Sequence, residues 1–309
     1  MSGESMKRFI GIFIIIAIIA LFVVMVVTSK TKEGSGEYID IITTSYPTYD
    51  FARAITKDTN ITVQQIMAPG TELHDYEPEP EDLLILNKAK IVVATCGESE
   101  KWFENAKSFI YPEKTKIICI TDYIDMIKDE DGDYDDHVWT SLKNVIKIIK
   151  EMSEEFKKIF PDRSELFSKN VENYSNKLKE LDDGFAKLAK EATKPIVVAD
   201  RFPFHYFIND YNFDYYAAFP GCIEQSEASA STIAQLIDVV KNQKIKTIFT
   251  LELSDQKVAK TIAEATGADI KILHSAHNIS KKDYENGATY YDIMKYNLNN
   301  LTEALKWAL

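Results

Sequence analysis

Residues 162–193 read DRSELFSKNVENYSNKLKELDDGFAKLAKEAT, and their spacing sets the architecture of everything around them. Leu166, Phe167, Val171, Tyr174, Leu178, Leu181, Phe185 and Leu188 recur mostly three and four apart, which gives a helix one apolar stripe. About thirty residues at 1.5 Å rise make a rod of roughly 45 Å. A coiled coil would leave a similar stripe, but this one spans only about four heptads and stands between two α/β halves. One helix bracing two flanking lobes is the expectation.

Upstream of it, short β-branched runs alternate with helical segments. YIDIITT (38–44), ITVQQIM (61–67), KIVVAT (90–95) and KIICIT (116–121) read as strands, with helices starting near Tyr49, Glu79 and Glu100. After Lys194 the alternation restarts, with PIVVAD (195–200), FDYYAAF (213–219), KTIFTLE (246–252) and DIKILH (269–274) as strands. AQLIDVVKNQ (234–243) and QKVAKTIAEATG (256–267) read as helices, Gly267 being placed to end the second. A last helix runs from about Ala288 to Leu309. Strand and helix in alternation imply mainly parallel sheets. The class is α/β: a lobe over 38–160, the long interlobe helix over 161–193 and a second lobe over 194–309.

The first thirty residues are of another kind. Lys7 and Arg8 precede FIGIFIIIAIIALFVVMVV (9–27), a run long enough to span a bilayer. A secretory signal has a shorter apolar region and a small-residue cleavage site, for which Val27-Thr28-Ser29 is only passable. An uncleaved N-terminal membrane anchor over 1–30 is therefore expected ahead of a removed signal, followed by a polar linker over 31–37. No cysteine precedes Cys96, which excludes a lipid-modified N-terminus on this reading. The remainder is expected outside the cytoplasm, at the cell surface.

A formal net charge of -12 argues against a nucleic-acid surface and makes cations the natural partners. Cys96, Cys119 and Cys222 form no CxxC pair, so neither a zinc ribbon nor a disulfide framework is indicated. One disulfide is possible, with its partners left open. The acidic stretch DEDGDYDD (129–136) fails EF-hand spacing, because Ile127 and Val138 fall at the first and last ligand positions around Gly132. It reads as a solvated charged loop whose field can concentrate cations near His137.

All five histidines lie in four segments: GTELHDYEP, DYDDHVWTS, RFPFHYF and ILHSAHNIS. A lone histidine is usually satisfied by a hydrogen bond, but imidazole is also the commonest metal ligand. His74 follows the Pro69-Gly70 turn signal, and His137 lies between the acidic loop and a helix beginning near Ser141. His205 follows the strand ending at Asp200, and His274 ends the strand DIKILH. All are at element ends, where open α/β sheets form binding sites. Two ligands from each lobe would hold a metal at the lobe interface.

From Tyr38 to Leu309 these segments resemble the solute-binding proteins of zinc and manganese ABC transporters, the ZnuA-like and TroA-like receptors. The resemblance is carried by PGTELHDYEPEPEDLLILNKAKIVV (69–93), by Asp136-His137-Val138-Trp139 against a DPHVW-like motif, by VVADRFPFHYFINDYN (197–212), and by the ending Tyr290 to Leu305. It implies His74, His137 and His205 as metal ligands. The fourth position usually carries Asp in that family, whereas this chain has Leu273-His274-Ser275. His274 takes that position, and His277, three residues on, competes with it. The resemblance implies a monomer with no enzymatic activity that passes a divalent ion to a membrane permease and its cytoplasmic ATPase.

Four neutral imidazoles make a tetrahedral nitrogen shell suited to zinc, whereas carboxylate-rich shells suit manganese. Zinc is thus expected as the transported ion ahead of manganese. Such a shell should release metal as pH falls through the histidine range, and retention down to about pH 4 would contradict it. Two other readings compete. One is a zinc-dependent hydrolase, since three histidines and a water make a catalytic site; yet HExxH and GxSxG are missing, and Glu252 in TLELS is the best carboxylate on offer. The other is a membrane-anchored adhesion protein with incidental histidines. A helix bracing both lobes also predicts small adjustments on metal release, not a wide hinge opening.

Overall fold

Strands form where the β-branched runs were read, each shorter than its run except β3, which has the same length and starts one residue earlier. The computed structural model describes residues 39–71, 76–128, 132–221 and 228–306. The expected membrane segment 9–27, His74, Cys222 and acidic residues 129–131 lie outside them. The first half holds β1 (Ile39–Thr43), α1 (Tyr46–Ile55), β2 (Val63–Gln65), α2 (Pro80–Leu86), β3 (Ala89–Ala94), α3 (Lys101–Lys107) and β4 (Lys116–Cys119). Next come α4 (Leu142–Ile159) and the long α5 (Ser164–Glu191). The second half holds β5 (Ile196–Val198), α6 (His205–Tyr211), β6 (Tyr215–Ala217), α7 (Ala230–Asn242), β7 (Thr247–Thr250), α8 (Lys257–Thr266), β8 (Asp269–Ile272), α9 (Lys281–Glu285) and α10 (Tyr290–Leu305).

Each half is a four-stranded parallel sheet, ordered β2-β1-β3-β4 in one and β6-β5-β7-β8 in the other. The halves therefore repeat one topology. Alternation along the strands divides their side chains between two layers. Ile41, Ile91 and Val93 point into a core shared with α4 and α5, while Ile42, Val92 and Ala94 meet Leu86 and Phe103 on the outer side. Both faces are covered, as parallel sheets require. The shared core runs without a break from Phe51 and Phe156 through Phe185 to Phe249 and Leu273. The two sheets are thus set on a common apolar body.

α5 is 28 residues long, preceded by a short turn at Pro161–Arg163. Its stripe is as read: Phe167, Val171, Leu178, Leu181, Phe185 and Leu188 are buried, with Leu166 and Tyr174 half-buried. Asn170 completes that face by donating to the carbonyls of Ile55 at 3.0 Å and Lys57 at 2.7 Å, closing the end of α1. Gly184 marks the crossing with α10, since a Cβ there would stand 2.7 Å from Leu298 Cδ2. A mid-helix glycine costs about 1 kcal/mol, and here it permits that close approach.

Polar ties bind α1 to the chain around α10. Tyr46 donates to the Ala288 carbonyl at 2.9 Å, and the hydroxyls of Tyr49 and Tyr284 meet at 3.0 Å. Asp50 accepts from the Tyr174 hydroxyl and from the N–H of Tyr290, the first residue of α10, both at 3.0 Å. Burial pushes its carboxyl up to about 6 against the opposing pull of those bonds and of Arg53. The Tyr290 hydroxyl donates to the Trp139 carbonyl at 2.6 Å, and Trp139 Nε1 to the Ser275 carbonyl at 3.0 Å.

α1 begins three residues earlier than read, with Pro47 in its first turn, where a missing N–H costs nothing. The short α9 was not anticipated. Cys96, two residues past β3, and Cys119, the last residue of β4, are disulfide-bonded with Cα atoms 5.3 Å apart. Among the described residues no helix is long and apolar enough to cross a membrane.

Candidate metal centre

Tyr134 to Thr140 leads from the acidic loop into α4 and carries His137. A single turn, Val138–Thr140, follows the histidine, and Ser141 caps α4 by accepting the Asn144 N–H at 3.1 Å. Burial of Val138 and Trp139 in the shared core pins this turn. His137 is 5% exposed, and its Nδ1 lies 2.7 Å from Asp135 Oδ1. The same oxygen accepts the His137 backbone N–H at 2.9 Å.

The other Asp135 oxygen reaches across to the second half. Asp135 Oδ2 lies 2.9 Å from Nδ1 of His205, the first residue of α6. One buried carboxylate therefore holds two histidines from different lobes. The Tyr206 hydroxyl fastens the arrangement, donating to the Asp135 carbonyl at 2.7 Å and accepting the Ile127 N–H at 3.1 Å. Burial pushes the Asp135 carboxyl up, but the charge and hydrogen bonds of His137 and the bond from His205 outweigh it and hold it well below the usual carboxylate range.

Those contacts settle the tautomers. In the neutral ring, an imidazole nitrogen hydrogen-bonded to a carboxylate carries the proton, which leaves the lone pair on the opposite nitrogen, Nε2. The Nε2 atoms of His137 and His205 are buried, and that of His205 has no hydrogen-bond partner among the described residues. Oriented in this way, they are ready to bind a metal.

The final histidine pair separates into two surroundings. His274 lies just past β8, where Asn297 grips its main chain, accepting from the N–H at 2.8 Å and donating to the carbonyl at 2.7 Å. Its Nδ1 accepts the Ala276 N–H at 2.9 Å. The ring proton then belongs on Nε2, which removes that lone pair from service. Ala276 has φ 59, in the left-handed region, and this turn brings the chain round to His277. The His277 ring stands 5.1 Å from that of His137 and 5.2 Å from that of Trp139, its Nε2 buried. Sequence reasoning placed His274 first; the structure puts His277 against His137.

Asp135, Asp136 and His137 offer ligand atoms within 4.8 Å of one another. Both oxygens of Asp135 are already taken by imidazoles, and Asp136 Oδ2 accepts from the Ser99 N–H at 2.8 Å and hydroxyl at 2.6 Å. The oxygens of Asp135 and Oδ2 of Asp136 are thus committed to neighbouring groups. The two aspartates were read as part of a solvated loop, yet Asp135 is 7% and Asp136 3% exposed. Their carboxylate identity beside a histidine was the available signal. Glu252 is also engaged: it accepts from the Ser275 N–H at 2.8 Å and from the Ser275 hydroxyl, with His274 Nδ1 at 3.4 Å.

Comparison with known proteins identifies the family. Residues 41–304 match the family model described as the periplasmic component A of zinc-uptake complexes, ZnuA. The high-affinity zinc uptake system protein ZnuA of Bacillus subtilis is 28% identical, over 97% of this chain and 98% of its own length. The zinc-binding lipoprotein AdcA of Streptococcus pneumoniae is also 28% identical over 92% of this chain, which spans only 58% of AdcA. Among solved structures, the metal-dependent lipoprotein YcdH of B. subtilis superposes with a TM-score of 0.76 at 30% identity, covering 86% of this chain and 99% of that one. Zn(II)-bound AdcA of S. pneumoniae gives 0.75 at 27% identity, covering 87% and 58%. With its repeated sheets, long helix and converging histidines, the chain belongs to the ZnuA family of zinc-uptake components.

Proposed function

We propose that this protein is the zinc receptor of an ABC-type importer. Outside the cytoplasm it takes one zinc ion between its lobes and presents it to a membrane permease driven by a cytoplasmic ATPase. The observation that carries this reading is the shared carboxylate: Asp135 holds Nδ1 of both His137 and His205, so the two lobes contribute pre-oriented nitrogen ligands to one place. The zinc-bound relatives and the family match support the same cargo.

The third ligand from the described residues is His277, in preference to His274, because the His274 lone pair at Nδ1 is spent on a backbone N–H. His74 completes the set. Asn278, next to His277, donates to the Thr71 carbonyl, and Thr71 is three residues before His74 in the sequence. Four imidazoles favour zinc over manganese. The Cys96–Cys119 disulfide supports an extracytoplasmic setting. Residues 9–27 serve as the membrane anchor, 31–37 as its tether, and the protein works as a monomer.

The hydrolase alternative needs a free general base beside the metal. Glu252, its best candidate, is occupied by Ser275. To test the receptor reading, the apo protein is titrated with zinc and with manganese while thermal stability is followed. Binding to the native state alone must raise the midpoint by mass action. Stabilisation by stoichiometric zinc, larger than by manganese and lost in His137→Ala, is the expected result. Equal midpoints with and without zinc would support the adhesion reading instead.

A further inference from the structure

Behind His137 lies a chain of contacts that starts at a covalent bond. The disulfide joins Cys119, the last residue of β4, to Cys96, two residues past β3. Cys96 has φ 62, a backbone region that a residue with a side chain keeps only when its surroundings hold it there. Glu100 grips the same turn, accepting from the Thr95 N–H at 2.8 Å, the Cys96 N–H at 3.4 Å and the Thr44 hydroxyl at 2.7 Å. Thr121 adds its hydroxyl to the Thr95 carbonyl at 2.9 Å.

The turn fixed in this way presses on the residue before His137. Gly97 lies so close to Asp136 that a Cβ there would stand 2.2 Å from the aspartate's own Cβ. Ser99 donates both its N–H and its hydroxyl to Asp136 Oδ2. The second Asp136 oxygen is 3.5 Å from His137 Nδ1. Asp135 supplies the bond that selects the tautomer, whereas Asp136 locks the main chain that carries the ring.

We infer that Asp136 is a positioning residue for the metal: seated on Gly97 and Ser99, on a turn braced by the Cys96–Cys119 bond, it fixes His137 and thereby sets the zinc affinity of the site. The inference rests on the receptor reading above. Ligands held in place before the ion arrives bind it more tightly, because less freedom is lost on binding. Outer partners of metal-bound histidines are typically worth about 10- to 100-fold in affinity. The disulfide contributes only through Asp136, so the two effects must not add.

The test is a double-mutant cycle on the full-length chain. Zinc affinity is measured by competition with a chromophoric chelator for the wild type, Asp136→Ala, Cys96→Ser with Cys119→Ser, and the triple variant. Cobalt(II) absorption spectra are recorded alongside, since ligand geometry moves them and a general loss of stability does not. The expected result is a roughly 10- to 100-fold weakening in Asp136→Ala, a smaller one in the double serine variant, and a triple variant no weaker than Asp136→Ala by more than about 2-fold. The cobalt band shifts in each. Ser99→Ala, which leaves the disulfide and the aspartate intact, should weaken binding several-fold and serves where Asp136→Ala does not fold. Unchanged affinities, or losses that add fully in the triple variant, would overturn the inference while leaving the receptor reading intact. A wild type that fails to bind zinc at all would overturn both.

Discussion

The two lobes share a sheet order but hold their histidines by different means. In the first lobe His137 is fixed through its side chain and its neighbours: Asp135 takes Nδ1, Asp136 is tied to Ser99, and the platform is closed by a disulfide. In the second lobe the segment around His277 is fixed mainly through its backbone, with Asn297 on His274 and Glu252 on Ser275. His205 belongs to both schemes, standing at the start of a second-lobe helix but oriented by a first-lobe carboxylate. The contrast teaches that one fold repeat can supply ligand positions twice while ligand orientation is built separately each time. The bond from Asp135 to His205 brings histidines of both halves onto one carboxylate.

The strongest way to break this comparison is Asp135→Ala. It removes the Nδ1 partner of two histidines at once, and with about 10- to 100-fold at stake for each, zinc affinity should fall by a hundredfold or more. Chelator competition reads this directly, and a loss below about 10-fold would mean that Asp135 does not organise both rings. Next comes the disulfide as a stabiliser. Its sequence separation of 23 residues implies about 3 kcal/mol of stability in the unfolded-chain entropy model, lost in the Cys96→Ser, Cys119→Ser variant and measurable by denaturant titration of the apo protein. On the second-lobe side, Asn297→Ala deletes two hydrogen bonds to His274 and should cost about 2 kcal/mol. Its effect on zinc affinity should be smaller than that of Asp135→Ala, because no ring nitrogen loses its partner.

The smallest effect is one of pH. Burial raises the Glu100 carboxyl to about 7, against the bonds from Thr44, Thr95 and Cys96 that favour its charged form. A native carboxyl that keeps its proton better than the unfolded one adds stability at low pH. That contribution is complete below the unfolded value near 4.5 and is lost as pH rises through 7. Asp50, raised to about 6, acts with the same sign. The apo thermal midpoint should therefore fall between pH 5 and 7.5, by roughly 5 °C, and the slope should shrink in Glu100→Gln, where only Asp50 remains.

The fold was legible because its signals are periodic. β-branched runs marked the strands, and Leu178, Leu181, Phe185 and Leu188 marked the long helix at the spacing that its burial confirms. The site was legible only in part. His137 and His205 stand out by residue type at element ends, and the structure brings their Nδ1 atoms to one carboxylate. The proposed preference for His277 over His274 rests in part on Ala276 taking a left-handed conformation, which nothing about alanine announces. Asp135 and Asp136 were hidden in an acidic run, because charge runs are usually solvated and their burial depends on partners seventy and thirty-seven residues away. The pairing of Cys96 with Cys119 depends likewise on β3 lying beside β4, which is a fact of topology and not of spacing.

X-ray absorption at the zinc edge tests the central claim most directly, comparing the wild type with His277→Ala and His274→Ala loaded with one equivalent of zinc. Four nitrogen neighbours at about 2.0 Å are expected in the wild type and in His274→Ala, with one nitrogen lost in His277→Ala. A nitrogen lost in His274→Ala and a full shell kept in His277→Ala would contradict the account.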